Sequence, residues 1–236
     1  MKNILKNIIT IFKDDEKKEK MINDYDYIID IIDGKYNILE QDGNFLEIGS
    51  FFGLGTAKLA EYLKYGHKKL ISVDCFDLKH DDTLRNDGRI IRSIYMKVCD
   101  GDEFKKQYEM YRENTSGFNN IITIKKNTKF VEKEMMMVDE IKNAFIIVDG
   151  SKNSKIFRLD LLKAWEIVGF NGVICIPDYY TKRDKKYLYN HVNNYVDDLI
   201  KSNKDSIGKV IISDEHNIIF IQKIERKRGR PKLKEV

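Results

Sequence analysis

Glu47-Ile48-Gly49-Ser50-Phe51-Phe52-Gly53-Leu54-Gly55-Thr56 decides how the rest of the chain is read. It follows a short apolar run, Phe-Leu-Glu-Ile at 45–48, and precedes helix-spaced apolar residues: Ala57, Ala60 and Leu63, with Leu59 beside them. That is a strand, a glycine-rich turn and a helix. In a doubly wound sheet such a turn lies at the carboxyl end of the strands, where ligands bind. Glycine lets the backbone take a positive φ and pass close to a neighbour. The spacing is not that of the dinucleotide fingerprint. From Gly49, that pattern needs glycine where Phe51 stands; from Gly53, it needs one where Lys58 stands. The acid at Glu47 would repel a pyrophosphate but suits a ligand that carries positive charge. Both points argue against a nicotinamide oxidoreductase.

Outward from the turn, apolar runs at 70–73, 121–124, 145–148 and 173–176 predict four more strands. Helical patterns separate them over 102–115, 156–168 and roughly 184–202, with Leu161, Leu162, Trp165 and Val168 expected to face inward. An amphipathic segment lies around 130–142. Two final strands, 209–213 and 218–223, flank the turn-forming Asp214-Glu215-His216-Asn217. Alternation of strands and helices predicts an α/β, Rossmann-like doubly wound sheet. It should have five parallel strands, a C-terminal antiparallel hairpin, and helices on both faces. Upstream, Met21, Ile22, Tyr25, Ile28, Ile29 and Ile32 recur at helical spacing, and Gly34 is the expected stop. The expected organisation is a helical extension over 1–41, the main domain over 42–224, and a basic tail over 225–236.

The chain has 236 residues, which suits one domain with appendages. Cys75, Cys99 and Cys175 are odd in number, widely spaced and free of any CxxC pair, which argues for a reducing compartment. No apolar run spans a membrane, and residues 1–12 do not read as a signal peptide. A cytoplasmic, nucleoid or nuclear protein that is not secreted is therefore expected. The formal net charge is +4, and all of it sits at the end. Without residues 225–236 the chain holds 36 basic and 36 acidic residues.

Glu-x-Gly-x-x-x-Gly-x-Gly after the first strand resembles motif I of the class I S-adenosylmethionine-dependent methyltransferases. The order of elements over residues 42–224 is similar to the small O-methyltransferase branch of that family. Asp149-Gly150-Ser151-Lys152 resembles its Asp-Gly-x-His element, and Asn171-Gly172-Val173-Ile174 with Asp178-Tyr179 resembles its Gly-Gly-Val-Ile strand and His-Asp-Tyr ending. The resemblance implies an S-adenosyl-L-methionine site built by Glu47, Gly49, Ser50, Phe51, Gly53 and Gly55. Asp74 would then take the ribose, with Asp77 a rival, Asn127 would lie near the adenine, and Asp149 would also contact the cofactor. It implies Asp149, Lys152 and Asp178 as catalytic residues beside a small-molecule or sugar hydroxyl. Catechol-type relatives bind Mg2+ through acids matching Asp149 and Asp178, but their third ligand, an Asn, is Tyr179 here. Lys152 stands where the branch has histidine. It is open to two readings, a base or a surface lysine. These departures also admit a different class, a non-catalytic methyltransferase-fold module that binds DNA or a protein partner.

The remaining candidates are weaker as chemistry. His80-Asp81-Asp82 is read as a solvated loop, because consecutive residues seldom converge on one ion. Met135-Met136-Met137 is read as gap-filling core or a lid contact. Cys175, inside an apolar strand, should be inert. The tail, Arg226-Lys227-Arg228-Gly229-Arg230-Pro231-Lys232, resembles an AT-hook. In such a motif glycine and proline keep the segment slender, and the arginines lie in the narrow minor groove of A·T-rich DNA. The resemblance implies DNA binding through Arg228, Gly229, Arg230 and Pro231. The plainer reading is a solubilising or targeting tail.

Overall fold

The structure, a computed structural model, describes residues 15–76, 106–151, 153–179 and 190–226. Helix α1 (Asp15–Tyr36) leads to strand β1 (Phe45–Ile48) and helix α2 (Leu54–Tyr62). Strand β2 (Leu70–Asp74), helix α3 (Lys106–Thr115) and strand β3 (Ile121–Lys125) follow. The second half runs β4 (Asn143–Val148), α4 (Ser154–Ile167), β5 (Val168–Pro177), α5 (Asn190–Ser202), β6 (Ile207–Ser213) and β7 (Ile218–Lys223). The described strands form one sheet of order β3-β2-β1-β4-β5-β7-β6. β1 to β5 are parallel, and β7 runs antiparallel to both β5 and β6. This is the Rossmann-like doubly wound sheet with a terminal hairpin that the alternation predicts. The chain winds outward from β1 to β3, then returns to build β4 on the other side of β1. A topological switch point therefore lies between β1 and β4.

Side chains alternate across each strand, so the sheet has two cores. Leu46, Ile48, Ile146 and Val148 face α4 and α5, where Phe157, Leu161, Ala164, Val192 and Val196 meet them. Phe45, Phe145, Ile147, Cys175 and Phe220 face the other way, onto Tyr25, Ile28 and Ile32 of α1 and Leu59, Ala60 and Leu63 of α2. Helix α1 is thus packed on the sheet. The helix is also tied to the hairpin turn, where His216 Nδ1 lies 2.8 Å from Asp24 Oδ1 and the imidazole stacks on Tyr27 at 4.1 Å. Among the described residues no helix is long and apolar enough to cross a membrane.

Several elements differ from expectation. α1 runs through Gly34 to Tyr36, and Asn37 ends it in a left-handed conformation (φ 47°). Asparagine tolerates that region well enough to serve as the stop. Leu162 is exposed, whereas Phe157, Ala164 and Ile167 face the core. The 130–142 segment forms two 3-10 turns, Thr128–Phe130 and Lys133–Met136, and a bridge between Val138 and Ile141. Met136 is buried in the core and Met135 is exposed. β5 begins at Val168, directly after α4, five residues earlier than its apolar run.

Candidate active site

The glycine-rich turn leaves β1 at the switch point and is fixed from three sides. Gly49 has φ 90°, and a Cβ there would lie 2.6 Å from both the Asp149 carbonyl carbon and Gly150 Cα. The close approach that requires glycine at 49 is therefore to the backbone after β4. Gly53 (φ 81°) sits under the Tyr111 ring of α3. Gly55 leaves its hollow to the Tyr25 ring, which occupies the space a side chain at 55 would need. Phe51 is held at φ 48°, an uncommon conformation for a bulky residue. Its carbonyl accepts from Gln107 Nε2 at 3.3 Å, and the Phe52 carbonyl accepts from Asn114 Nδ2 at 2.8 Å.

Asp74, at the end of β2, closes the turn from the other side. Its Oδ2 accepts from the backbone N–H groups of Ser50 and Phe51, both at 2.9 Å, and its Oδ1 accepts from Phe76 N at 2.7 Å. A diol taking both carboxylate oxygens would have to compete with these amides. Behind the turn, the Ser50 and Ser72 hydroxyls share a 2.6 Å hydrogen bond. Tyr111 Oη donates to Ser72 Oγ at 2.8 Å and lies 2.9 Å from Thr123 Oγ1. Burial pushes that phenol up to about 12. This hydroxyl chain links the β1 turn to β2 and β3.

Glu47 is wholly buried, one residue inside β1. Tyr25 Oη donates to its Oε1 at 2.8 Å, and Thr56 Oγ1 donates to its Oε2. Burial raises its carboxyl from 4.5 to about 7. The hydroxyls of Thr56, Tyr25 and Ser50 oppose that rise, and nearby Asp149 adds to it. The carboxyl thus changes charge close to neutral pH.

The expected residues fall into three groups. Glu47, Gly49, Ser50, Phe51, Gly53, Gly55, Asp74 and Asp149 surround one turn. Asn127 stands apart after β3, where its side chain accepts from Lys129 N at 3.0 Å and caps a 3-10 turn. Asp178 follows β5, the strand beside β4, and takes a left-handed conformation (φ 58°). Lys152 and the Arg228–Pro231 motif lie outside the described residues, as do Asp77, His80 and Cys99. Tyr179 is turned to packing, its hydroxyl donating to Asp197 Oδ1 on α5 at 2.7 Å. Among the described residues, no three His, Cys, Asp or Glu side chains are grouped to hold a metal ion. The expected Mg2+ pair, Asp149 and Asp178, is thus not part of such a group among the described residues. Cys175 is buried, and burial pushes its thiol up, so it is inert. Sequence reading missed Tyr25, Thr56, Ser72, Gln107, Tyr111 and Asn114, all of which reach the turn from other elements or from beyond its glycines.

Glu47, Asp74 and Asp149 come from the ends of three adjacent strands, β1, β2 and β4, and gather negative charge around the glycine-rich turn. No protein-family model matches this sequence, and no curated protein matches it. The fold is similar to that of several solved methyltransferases. Against the O-methyltransferase NovP the TM-score is 0.57 at 13% identity, covering 87% of this chain and 80% of that one. Against the O-methyltransferase TomG from Streptomyces achromogenes, in complex with SAM, it is 0.53 at 11% identity, covering 84% and 78%. Against an O-methyltransferase from Bacillus cereus, in complex with SAH, it is 0.52 at 13% identity, covering 91% and 94%. At these identities the likeness is one of fold.

Proposed function

We propose that the chain is an S-adenosylmethionine-dependent O-methyltransferase acting on a hydroxyl of a small molecule or sugar. The observation that carries this reading is the glycine-rich turn at the switch point, with Glu47, Asp74 and Asp149 gathered around it. Similarity of fold to O-methyltransferases supports it. Bound there, S-adenosylmethionine would supply an electrophilic methyl group on sulfonium. Glu47 and Asp149 would favour the cationic end, and Asp74, fastened to the Ser50 and Phe51 amides, would face the ribose. Asn127, with its oxygen already accepting from Lys129 N, is the weakest of the assigned contacts.

The chain's main catalytic task is positioning, since holding donor and acceptor in line removes much of the entropic barrier. The hydroxyl proton must also leave as the new carbon–oxygen bond forms and the carbon–sulfur bond breaks. Asp149, at the end of β4, and Lys152 are the candidates to receive it, and Asp178 would orient the acceptor from β5. The position that matches the third Mg2+ ligand of the catechol-type relatives is Tyr179, whose hydroxyl bonds Asp197. A second reading, a non-catalytic module, is favoured by that same use of Tyr179. The tail, by its Arg228-Gly229-Arg230-Pro231 core, would tether the chain to A·T-rich DNA.

Calorimetric titration tests the cofactor. S-adenosylmethionine should bind and NAD should not. The reverse would return the chain to the oxidoreductases. Binding with no turnover on any hydroxyl acceptor would favour the module. Where turnover is seen, Asp178→Ala should lower it while leaving cofactor affinity unchanged, and its response to a chelator decides whether Asp149 and Asp178 act through Mg2+.

A further inference from the structure

We propose that Tyr25 is a positioning residue of the cofactor site: its hydroxyl sets the Glu47 carboxylate beneath the glycine-rich turn, and helix α1 is thereby part of the site's wall. The inference rests on reading the turn as an S-adenosylmethionine site.

Three contacts carry it. The Tyr25 ring fills the hollow left by Gly55, so the turn's last glycine serves a residue thirty positions upstream. The Tyr25 hydroxyl donates to Glu47 Oε1 at 2.8 Å. Thr56, next to Gly55, supplies a donor to the other carboxylate oxygen. Each oxygen of a buried acid thus receives a hydroxyl, one from α1 and one from α2. Phenylalanine would fill the same hollow, so packing alone does not account for the hydroxyl. A phenol buried this deeply costs free energy unless its O–H is bonded. Glu47 supplies that bond, and the bond in turn favours the ionised carboxylate.

The charged and titratable neighbours of Glu47 come from every element around it. Tyr25 faces it from α1, Thr56 from α2, Ser50 from the turn and Asp149 from the end of β4. Tyr111 of α3 feels its charge, and Cys175 of β5 feels Asp149 and acts on Tyr25. Among the described residues, every ionisable member of this group is neutral or negative. The hydroxyl donors are therefore what favours charge on Glu47 before a cation arrives. Loss of one donor should shift the ionisation of Glu47 to higher pH, and affinity for a cationic ligand should follow it.

The test is calorimetry of the full chain with S-adenosylmethionine between about pH 6 and 9, for wild type, Tyr25→Phe and Glu47→Gln. Wild-type affinity should rise with pH through about 7 beyond the ligand's own titration, which Glu47→Gln reports alone. Tyr25→Phe should bind about fivefold more weakly near pH 7 and approach wild type near pH 9. A Tyr25→Phe profile that overlays wild type, or one weakened equally at every pH, overturns the inference while leaving the cofactor reading intact. Absence of wild-type binding overturns both. If Tyr25→Phe does not fold, Tyr25→Phe with Glu47→Gln should fold, because the buried charge is gone. Failure of that rescue overturns the coupling.

Discussion

Gly49 and Glu47 show how much a single position decides. At φ 90°, with the Asp149–Gly150 backbone against it, Gly49 leaves no room for a methyl group. Gly49→Ala should cost about 1–3 kcal/mol of stability, as overpacking does, read as a lower urea midpoint in the ligand-free chain. An unchanged midpoint would mean that the turn is free to move away from β4. Glu47 makes a prediction of opposite character. Its carboxyl ionises at 4.5 when exposed and at about 7 when folded. Between those values the native chain holds a proton that the unfolded chain has lost. Its contribution to stability is thus fully present below about 4.5 and is lost as pH rises through about 7, by about 3 kcal/mol in all. Glu47→Gln should remove that slope, so the difference between wild-type and variant unfolding free energies across pH isolates it. A pH-independent difference would mean that Glu47 is ionised throughout.

Among the elements, α1 depends most on a contact that sequence patterning does not reveal. Its periodicity shows an apolar face, and Ile28 and Ile32 do enter the core. Nothing in that periodicity distinguishes Tyr25, which lies on the same face yet carries the polar contact to Glu47. Gly55→Ala should therefore act on α1, not only on α2, by pushing the Tyr25 ring out of its hollow. The expected result is a loss of about 1–3 kcal/mol together with faster hydrogen exchange along α1. Unchanged protection of α1 would show that the ring is seated elsewhere. β5 teaches a related lesson. Gly169-Phe170-Asn171-Gly172 has the composition of a turn, yet it lies within the strand. Asn171 bends at φ 63°, and Gly172 lets the chain pass close to the carbonyls of Asn143 and Ala144. Composition signals the bend, but only the partner strand turns it into a ladder irregularity. α1 likewise passes Gly34 because packing of Ile32 and Tyr36 outweighs one residue's low helix propensity.

At the scale of the molecule, the winding of the sheet was legible because buried parallel strands are short apolar runs, and five of them alternate with helices. The candidate site was legible only where it is local, in the β1 turn and the acids that end β2 and β4. Its supports, Tyr25, Gln107, Tyr111 and Asn114, come from α1 and α3, and no sequence spacing ties those helices to the turn. The tail is the reverse case, local in sequence and separate in chemistry. Its basic residues carry the chain's whole excess of positive charge, since the remainder is balanced. If it tethers the chain to DNA, about four to six side chains neutralise phosphates, and the log–log salt slope should be roughly −4 to −5. Affinity of so short a segment should lie near the non-specific range, about 10⁻⁴ to 10⁻⁶ M. Arg230→Ala should abolish preference for A·T tracts, because it removes a group reaching into the groove. Lys234→Ala should weaken binding to all sequences alike. Gel shifts comparing residues 1–224 with the full chain decide the matter. Equal affinity would leave the tail a charged terminus and remove DNA from the chain's partners.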